Sequence, residues 1–337
     1  MTDASATREL IQSLPKTETH LHVEGALPWE LLERKNPAKY SEQPVFRSEG
    51  FRYDSFEQFE SILIDHALDW FDSPESYHEA AKLIFSKHLE QNVKYVETSF
   101  HAGMMEFLKI PGEEILQAIL SAAPPGLDVR VFLGISRNAY TAYLGPLLEE
   151  AIEKWDSLAG IDLHGLETLP MKAWTQPFWA KASSLGKVLK AHAGEFGPAA
   201  NVEQAVTQLG VRRIQHGIRA SESGKVMELL LDEGVTLDLC PISNYKLRVV
   251  DELEEHPVRS FMEKGIRCTI STDDPLSFNN SLNQEYEALV GSLGFSAREI
   301  GQLAKNGFSV ADLETDKATE YQRQIDEVVE NACRADE

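Results

Sequence analysis

Histidine and carboxylate side chains that could bind a metal ion recur at the ends of predicted strands. His20 and His22 lie two residues apart in Thr-His-Leu-His-Val, so both side chains point to the same face of a strand. Such a pair alone is more often structural, but His192 and Asp273 each close a later predicted strand. Three imidazoles and one carboxylate form a ligand set that suits zinc with an open position for water. We therefore predict one Zn²⁺ ion per chain, bound by these four residues.

Three further titratable residues follow these ligands or end another strand. Glu195 lies three residues after His192, where a loop would return it to the same end of the sheet, and Asp274 follows Asp273 directly. His216 ends a strand in Arg-Ile-Gln-His-Gly. A bound zinc ion lowers the pKa of water to ~7. His216, at the end of its strand, is placed to take or orient a proton of that water, with Asp273 as a second acceptor. The alternative for His216 is a role as a further metal ligand.

The elements that must position these residues are short β-rich runs that alternate with longer helical patterns. Strands are predicted at Thr17–Val23, Val93–Phe100, Val129–Ile135, Gly160–Leu163, Lys187–His192, Arg212–His216, Val235–Cys240 and Cys268–Ser271. Apolar residues at helical spacing lie between them, at Tyr77–Gln91, Gly112–Ala122, Pro146–Lys154, Asn201–Leu209 and Ser221–Glu233. This alternation predicts an α/β fold, a (β/α)₈ TIM barrel whose active site lies at the C-terminal ends of the strands. No linker divides the chain, so a single domain is predicted over residues 1–337.

One segment, at about residues 30–75, interrupts this alternation after the first strand. Its middle is rich in aromatic residues, namely Phe46, Phe51, Tyr53, Phe56, Phe59, Trp70 and Phe71. These side chains either complete the core of an ordinary helical insertion or supply apolar walls to a pocket at the mouth of the barrel. The two interpretations are compatible with each other, and we predict a helical lid insertion.

Composition and charge exclude several classes of partner. The 337 residues carry 32 basic and 54 acidic side chains, a net charge of −22, so electrostatics disfavour binding to nucleic acid. The three cysteines are too few and scattered for a disulfide framework, which fits a reducing compartment. Residues 1–15 have no hydrophobic signal core, and no stretch has ~18 consecutive apolar residues. A cytoplasmic protein with no membrane partner is predicted, and the sequence is silent on its oligomeric state.

Several motifs, taken together and in order, resemble the adenosine deaminase family of the metal-dependent amidohydrolases. They are Pro-Lys-Thr-Glu-Thr-His-Leu-His-Val-Glu-Gly-Ala (15–26), Gly-Ile-Asp-Leu-His-Gly-Leu-Glu (160–167), His-Ala-Gly-Glu (192–195), Gln-His-Gly (215–217), Cys-Pro-Ile-Ser-Asn (240–244) and Ser-Thr-Asp-Asp-Pro (271–275). The motifs span most of the chain. The resemblance implies a barrel that releases ammonia from a 6-aminopurine and leaves the 6-oxo purine.

The resemblance also implies a role for each site residue. His20, His22, His192 and Asp273 would bind zinc, His216 would activate the water, Glu195 would protonate purine N1, Asp274 would bond N7, and the Gly165 N–H would bond N3. Attack at C6 destroys ring aromaticity, and a proton on N1 lets charge leave the ring as the tetrahedral centre forms. Glu195 must therefore hold a proton, and an apolar pocket would raise its pKa in the needed direction.

Some positions depart from the familiar pattern where the sugar side of the pocket is expected. Many adenosine deaminases have Asp where this chain has Glu24, and the longer side chain is more like the branches that act on adenine or on aminofutalosine-type nucleosides. His164 and Leu166 replace small and acidic residues of the strand-four motif. For His164 we favour a polar residue at the rim over a metal ligand, and for His101 a helix cap over contact with a substrate carboxylate or hydroxyl.

The predicted function is zinc-dependent hydrolytic deamination of a 6-aminopurine nucleoside, adenosine-like or aminofutalosine-like, with this small molecule as the partner. The alternative in chemistry is deamination of free adenine. A barrel that binds purines without catalysis is a further alternative, although such a protein has no use for both Glu195 and the pair His216 and Asp273. A hydrolase of cyclic amides or phosphotriesters on the same barrel would require two metal ions per chain.

Overall fold

Eight parallel strands form one sheet in the computed structural model, which describes residues 4–335. The strands pair in chain order, each with the next. They are β1 (Lys16–His22), β2 (Val93–His101), β3 (Asp128–Ser136), β4 (Leu158–His164), β5 (Val188–Ala193), β6 (Arg213–His216), β7 (Thr236–Leu239) and β8 (Arg267–Ile270). All eight predicted strands are confirmed, with ends that differ by at most two residues.

The two outer strands meet at their C-terminal ends and bring the sheet close to a closed barrel. The His22 N–H donates to the Asp273 carbonyl at 3.2 Å, and the Asp273 N–H donates to the His20 carbonyl at 3.0 Å. These bonds form a parallel bridge between Leu21 and Asp273. The predicted (β/α)₈ barrel is therefore observed, with helices on its outer side.

Helices follow the strands as the βα alternation requires. The α-helices are α1 (Ala4–Ser13), α2 (Trp29–Lys35), α3 (Pro37–Tyr40), α4 (Phe56–Trp70), α5 (Pro74–Glu90), α6 (Gly103–Leu108), α7 (Gly112–Ser121), α8 (Leu144–Lys154), α9 (Thr175–Ser184), α10 (Ala199–Leu209), α11 (Gly224–Asp232), α12 (Pro241–Lys246), α13 (Val258–Glu263), α14 (Pro275–Phe278), α15 (Leu282–Gly291), α16 (Ala297–Val310) and α17 (Thr315–Ala335). Short 3₁₀ helices lie at Val45–Arg47, Ile218–Glu222 and Leu253–Glu255. Among the helices of residues 4–335, none is long and apolar enough to cross a membrane.

The segment between β1 and α5 is helical, and its longest helix is α4. The Ser55 hydroxyl accepts a hydrogen bond from the Gln58 N–H and caps the start of α4. Phe59 of α4 stacks on Phe278 of α14, with ring centroids 5.4 Å apart. Aromatic packing therefore fixes this segment to the loop that follows β8.

A cluster of charged side chains fills the barrel below the strand ends, and we call Glu97, Lys190, Arg213 and Asp238 the floor cluster. The Arg213 guanidinium lies 2.9 Å from Glu97 Oε2 and 3.0 Å from Asp238 Oδ2, and Lys190 Nζ lies 2.5 Å from Glu97 Oε2. Since β2 and β6 are not neighbours, the bond between Glu97 and Arg213 must cross the barrel interior. The floor cluster therefore ties opposite walls of the barrel together beneath the site.

Candidate active site

The four predicted metal ligands come together at the mouth of the barrel. His20 Nε2 lies 3.1 Å from His192 Nε2, and Asp273 Oδ1 lies 3.3 Å from the Nε2 atoms of both His20 and His22. Four ligands at zinc–nitrogen and zinc–oxygen distances of about 2.0–2.1 Å on a tetrahedron lie roughly 3.3 Å from one another. These three distances match that spacing. The four residues whose donor atoms all lie within 4.8 Å of one another are, however, His20, His192, His216 and Asp273, whereas His22 groups with Asp273 and Asp274.

Each of the three imidazoles has its Nδ1 atom near a second polar group. The pairs are His20 with the Asp238 carbonyl at 3.2 Å, His22 with Ser99 Oγ at 2.8 Å, and His192 with Asp162 Oδ1 at 3.3 Å. A carbonyl or carboxylate only accepts, so His20 and His192 hold their protons on Nδ1 and leave Nε2 for a metal. Such partners fix the orientation and tautomer of metal-binding histidines.

The protonation of the metal-free cluster is governed by its carboxylates. Burial lowers the pKa of His22, but the carboxylates of Asp274 and Asp273 outweigh it and raise this pKa to about 9. Burial raises the pKa of Asp273, while His20 and His22 lower it well below its usual range. A metal that binds His22 must displace a proton from its ring, so metal binding should depend on pH.

His216 lies beside this cluster and faces two carboxyl groups. Its Nε2 atom is 3.5 Å from Glu195 Oε1 and 3.8 Å from Asp273 Oδ2. The ring nitrogen is also close enough to His20, His192 and Asp273 for the four to form a possible ligand group. Both interpretations made from the sequence, an additional ligand and a residue that handles protons, therefore remain compatible with the geometry.

Two site residues have a strained backbone at the ends of their strands. His216 has φ +65° and Asp273 has φ +67°, in the left-handed region that side chains other than glycine seldom occupy. Conformations of this kind cost about 1–3 kcal/mol and persist where the surrounding structure enforces them. One of them lies where β6 ends, and the other lies where the segment after β8 meets β1.

Glu195 is buried on the loop after β5, and its Oε1 atom has no hydrogen-bond partner. Burial raises the pKa of Glu195 well above its usual range, and the nearby carboxylates of Asp273, Glu167 and Asp274 raise it further. Burial and the neighbouring negative charges therefore both favour the protonated form of this carboxyl group. An unpaired buried donor of this kind is suited to protonate a bound molecule.

Glu167 is a residue whose importance the sequence did not reveal. Its carboxylate accepts hydrogen bonds from four consecutive backbone N–H groups, at Gly194 (2.6 Å), Glu195 (2.9 Å), Phe196 (2.9 Å) and Gly197 (2.8 Å). A side chain at position 197 would place its Cβ 2.6 Å from Glu167 Oε1, so glycine is required there. The signal was present, because Glu167 ends the strand-four motif and Gly197 follows the Glu195 motif, but spacing alone does not show that they meet.

Asp274 is buried next to the ligand cluster, and its Oδ1 atom also has no hydrogen-bond partner. Burial raises its pKa well above its usual range, with Asp273 contributing in the same direction. The backbone of Gly25 comes so close that a Cβ there would overlap Asp274 Oδ1, at 1.4 Å. The glycine of the first motif is therefore required by the position of Asp274.

Glu24 and the two unusual histidines line one side of the site. Glu24 Oε1 accepts hydrogen bonds from the Tyr77 hydroxyl at 2.7 Å and from the His101 N–H at 3.2 Å. His101 Nδ1 accepts from the N–H of Gly103, the first residue of α6, whereas the cap position itself is Ala102, whose side chain makes no capping bond. The His101 ring stacks on His164 at the end of β4, with centroids 4.9 Å apart.

His164 fits only because β3 has a glycine opposite it. A Cβ at Gly134 would lie 2.3 Å from the His164 ring. The His164 Nε2 atom is buried without a hydrogen-bond partner, and its ring could join His22 and Asp162 in a second possible ligand group. Burial lowers the pKa of His164 well below its usual range, so the ring is neutral.

One cavity of about 500 Å³ connects the residues predicted to act on substrate. Its polar side is lined by His22, Glu24, His101, His164, Gly165, His192, Glu195, His216, Asp273 and Asp274. Apolar side chains of α4, including Phe56, Phe59 and Leu63, line the other side. Ligand pockets of small-molecule enzymes have volumes of about 300–1,000 Å³, mostly apolar walls and a few convergent polar groups.

The fold and the site define a hydrolase barrel of the amidohydrolase kind, with a possible metal site at the C-terminal ends of its strands. The family model described as "Adenosine deaminase" matches residues 15–328, and the chain belongs to this family. It is therefore a hydrolytic deaminase that acts on carbon–nitrogen bonds, as the sequence predicts.

The curated relatives include adenine deaminases of similar length. The chain is 30% identical to the adenine deaminase of Streptomyces coelicolor, with 92% of this chain and 93% of the relative covered. It is 31% identical to the adenine deaminase of Ectopseudomonas mendocina, with coverage of 88% and 96%. These relatives extend the family resemblance over nearly the whole chain.

Solved structures share the fold at lower sequence identity. The adenine deaminase from Arthrobacter aurescens has a TM-score of 0.84 and 24% identity, with 94% of this chain and 99% of that chain covered. An amidohydrolase from Burkholderia ambifaria, solved with bound Zn, has a TM-score of 0.85 and 20% identity, with coverage of 99% and 96%. The whole barrel architecture is therefore common to these proteins.

Proposed function

We propose that this chain is a zinc-dependent deaminase of free adenine, which it hydrolyses to the 6-oxo purine and ammonia. The observation that carries the proposal is the buried Glu195, whose pKa is raised and which lines one cavity with His216, His22, His192 and Asp273. The adenine deaminases among the relatives favour adenine over the nucleoside first predicted from the sequence. This choice adopts the alternative substrate and keeps the predicted reaction.

Zinc is the proposed metal because the donor set and its spacing suit it. His20, His22, His192 and Asp273 would hold the ion through nitrogen and oxygen atoms that lie 3.1–3.3 Å apart where they are closest. The relative from B. ambifaria that was solved with bound Zn supports this choice. When bound, zinc lowers the pKa of water and so supplies a nucleophile at neutral pH.

Glu195 is proposed as the proton donor to ring nitrogen N1. Its raised pKa keeps the proton on the carboxyl group until the ring gains electron density, which happens when oxygen adds to C6. Asp274, whose pKa is also raised, would donate to N7, and the Gly165 N–H would bond N3. These three contacts fix the purine in the plane that exposes C6 to water.

Asp273 would accept a proton from the attacking water, and His216 would orient the water oxygen. The water oxygen forms a bond to C6 as one of its protons moves to Asp273, and this proton then passes to the amino nitrogen. The C6–N bond breaks, and ammonia leaves. The second water proton restores Glu195, so that one water and one amine give one oxo group and one ammonia.

Glu167 is proposed as a positioning residue for Glu195. Its carboxylate holds the backbone from Gly194 to Gly197 through four hydrogen bonds, which sets the place where the Glu195 side chain leaves the loop. Its negative charge also favours the protonated form of Glu195. Glu167 therefore supports the acid without touching the substrate.

The sugar side of the pocket supports the free base as substrate. Glu24 is buried there, and its Oε1 atom already bonds to Tyr77 and to the His101 backbone. The stacked rings of His101 and His164 occupy further space beside it. The cavity of about 500 Å³ still leaves room beyond a purine base, and this volume favours an adenosine-type nucleoside as the second candidate.

We further propose that α4 acts as a lid within a single-domain chain. Its residues Phe56, Phe59 and Leu63 line the cavity opposite the polar groups, and Phe56 contacts Phe196 beside Glu195, with centroids 5.2 Å apart. An apolar cover of this kind excludes water and keeps the Glu195 pKa high.

The test is ammonia release from a panel of adenine, adenosine, deoxyadenosine and aminofutalosine derivatives, with zinc content measured on the same preparation. We expect adenine to have by far the highest kcat/KM and about one zinc per chain. A nucleoside that far outpaces adenine would replace the substrate and keep the chemistry. If the chain binds purines but releases no ammonia from any of them, the catalytic proposal is wrong.

A further inference from the structure

Asn244, the last residue of the Cys-Pro-Ile-Ser-Asn motif, is buried between two histidines. Its side chain is fully buried in α12. The amide nitrogen Nδ2 lies 3.1 Å from His216 Nδ1, and the amide oxygen Oδ1 lies 3.2 Å from His256 Nε2. A chain of hydrogen bonds therefore leads from His256, outside the substrate cavity, through Asn244 to His216.

The direction of this chain is fixed at its far end by a backbone group. The Val258 N–H donates to His256 Nδ1 at 3.3 Å, and a backbone N–H has no acceptor role. Burial lowers the pKa of His256 to about 3, so its ring is neutral and carries a single proton. This proton must be on Nε2, which therefore donates to the oxygen of Asn244.

The remaining steps follow from the chemistry of an amide. Because Asn244 Oδ1 accepts from His256, its Nδ2 group faces His216 and can only donate. We propose that Asn244 and His256 are positioning residues that leave His216 Nδ1 unprotonated and so hold the ring in the tautomer with its proton on Nε2. The orientation of the amide thus depends on Val258, whose N–H cannot reverse.

This tautomer decides what His216 can do in the proposed reaction, on which this part of the inference rests. The Nε2 atom lies between Glu195 Oε1 at 3.5 Å and Asp273 Oδ2 at 3.8 Å. A neutral ring that carries its proton there can donate a hydrogen bond to the attacking oxygen, but it cannot take a proton from it. The proton of the attacking water therefore goes to Asp273, and His216 orients the oxygen.

The direct test is the nitrogen NMR spectrum of the zinc-loaded protein labelled with ¹⁵N-histidine. The ring signals of His216 are assigned by their loss in the His216→Gln variant. We expect a protonated Nε2 and an unprotonated Nδ1. A proton on Nδ1, or on both nitrogens, overturns the proposal whether or not the chain proves to be a deaminase.

The variant Asn244→Asp reverses the direction of the hydrogen bond to His216, because a carboxylate can only accept hydrogen bonds. We expect the His216 proton to appear on Nδ1 and kcat for adenine to fall about 10–100-fold, with KM and zinc content little changed. The matched control is Asn331→Asp, on the exposed side of α17, which adds the same charge and should change neither quantity. An unchanged His216 tautomer in Asn244→Asp would contradict the proposal.

A second pair of variants changes His256, the far end of the hydrogen-bond series, instead of Asn244 at its centre. His256→Leu leaves the Asn244 oxygen without its donor, so the amide can turn over and the His216 signals should show mixed tautomers. His256→Gln keeps an N–H donor and should restore most of kcat and the single Nε2–H form. If both variants lose stability equally but keep the Nε2–H form, His256 has only a structural role and the proposal fails for that residue.

Discussion

The mouth and the floor of the barrel are both buried and both rich in charge, but they differ in whether their polar atoms have hydrogen-bond partners. In the floor cluster the Arg213 guanidinium contacts both Glu97 and Asp238, and Lys190 also donates to the Thr19 carbonyl at 2.7 Å. At the mouth, Glu195 Oε1 and Asp274 Oδ1 have no hydrogen-bond partner in the described structure. Pairing, rather than burial or charge, therefore distinguishes the floor cluster from the candidate active site.

The physical reason is the cost of an unpaired polar group. A buried polar atom without a partner costs about 1–3 kcal/mol, and a buried ion pair that loses one member costs about 3–5 kcal/mol. The floor avoids both costs, because the carboxylate of Glu97 faces two cations. The mouth bears the first cost, which a bound substrate would offset under the proposed function.

The largest effect is expected at the metal cluster. His20→Ala removes a ligand that contacts both His192 and Asp273, so zinc content should fall to near zero, and deamination with it. Metal analysis and ammonia release measure the two losses. His78→Ala, on α5 away from the cavity, is the control and should keep both.

The next largest effect is expected at the unpaired acid. Glu195→Gln keeps the shape of the side chain but holds no acidic proton for N1, so kcat should fall about 10²–10⁴-fold. Binding of a purine analogue, zinc content and the free energy of unfolding should remain near those of the parent protein. Activity close to that of the parent would contradict the role of Glu195.

A variant of the floor cluster should lose stability and keep its activity, unlike Glu195→Gln. Glu97→Gln leaves Lys190 and Arg213 without their shared carboxylate, so the free energy of unfolding should fall by about 3–5 kcal/mol while kcat of the folded protein changes little. Urea unfolding and ammonia release separate the two quantities. A large loss of kcat with unchanged stability would show that the floor acts in catalysis.

The same variant has a defined dependence on pH. Burial raises the pKa of Glu97, but Arg213 and Lys190 outweigh it and lower this pKa from 4.5 to about 2. A lowered carboxyl pKa stabilises the folded state above the unfolded value, and this stability is lost as the pH falls through the folded value. The difference in unfolding free energy between parent and Glu97→Gln should therefore shrink between about pH 4.5 and 2.

Glu167 resembles the floor cluster because its carboxylate is fully paired, but it holds the loop that carries Glu195 at the mouth of the barrel. Glu167→Gln places an amide N–H group against backbone N–H groups, so the loop of Glu195 should shift and kcat should fall about 10–100-fold. The basic limb of the kcat profile should also move to lower pH, because the negative charge that raises the Glu195 pKa is lost. Glu203→Gln, on α10, is the control, and a profile that does not move would limit Glu167 to a structural role.

The smallest effect is expected for a charge pair on the surface. Arg130 contacts Asp312 at 2.7 Å, but the Asp312 side chain is 75% exposed. Asp312→Asn should change the free energy of unfolding by no more than about 1 kcal/mol, since solvent screens such pairs. A loss comparable with that of Glu97→Gln would remove the distinction between buried and exposed pairs.

The sequence predicts the parts of the molecule that repeat in a simple pattern. The eight strands follow from short apolar runs, and the candidate metal ligands were chosen because they are ligand-type residues at the strand ends. Helix α9 was not predicted, because Pro177 and two aromatic residues obscure its helical spacing. The contacts of Glu167 and the chain from His256 to Asn244 join separate segments, and only the fold brings such segments together.

The bonds between β1 and β8 have a consequence for how the barrel holds together. The backbone groups that join these strands belong to His20, His22 and Asp273, whose side chains form three quarters of the proposed zinc shell. An ion bound by these side chains would link β1 to the segment after β8, where the first and last strands meet. Removal of the ion should therefore weaken the contact between β1 and β8 before the contact between any other pair of strands. A chain break or an insertion at this point would disrupt both the barrel and the proposed zinc site.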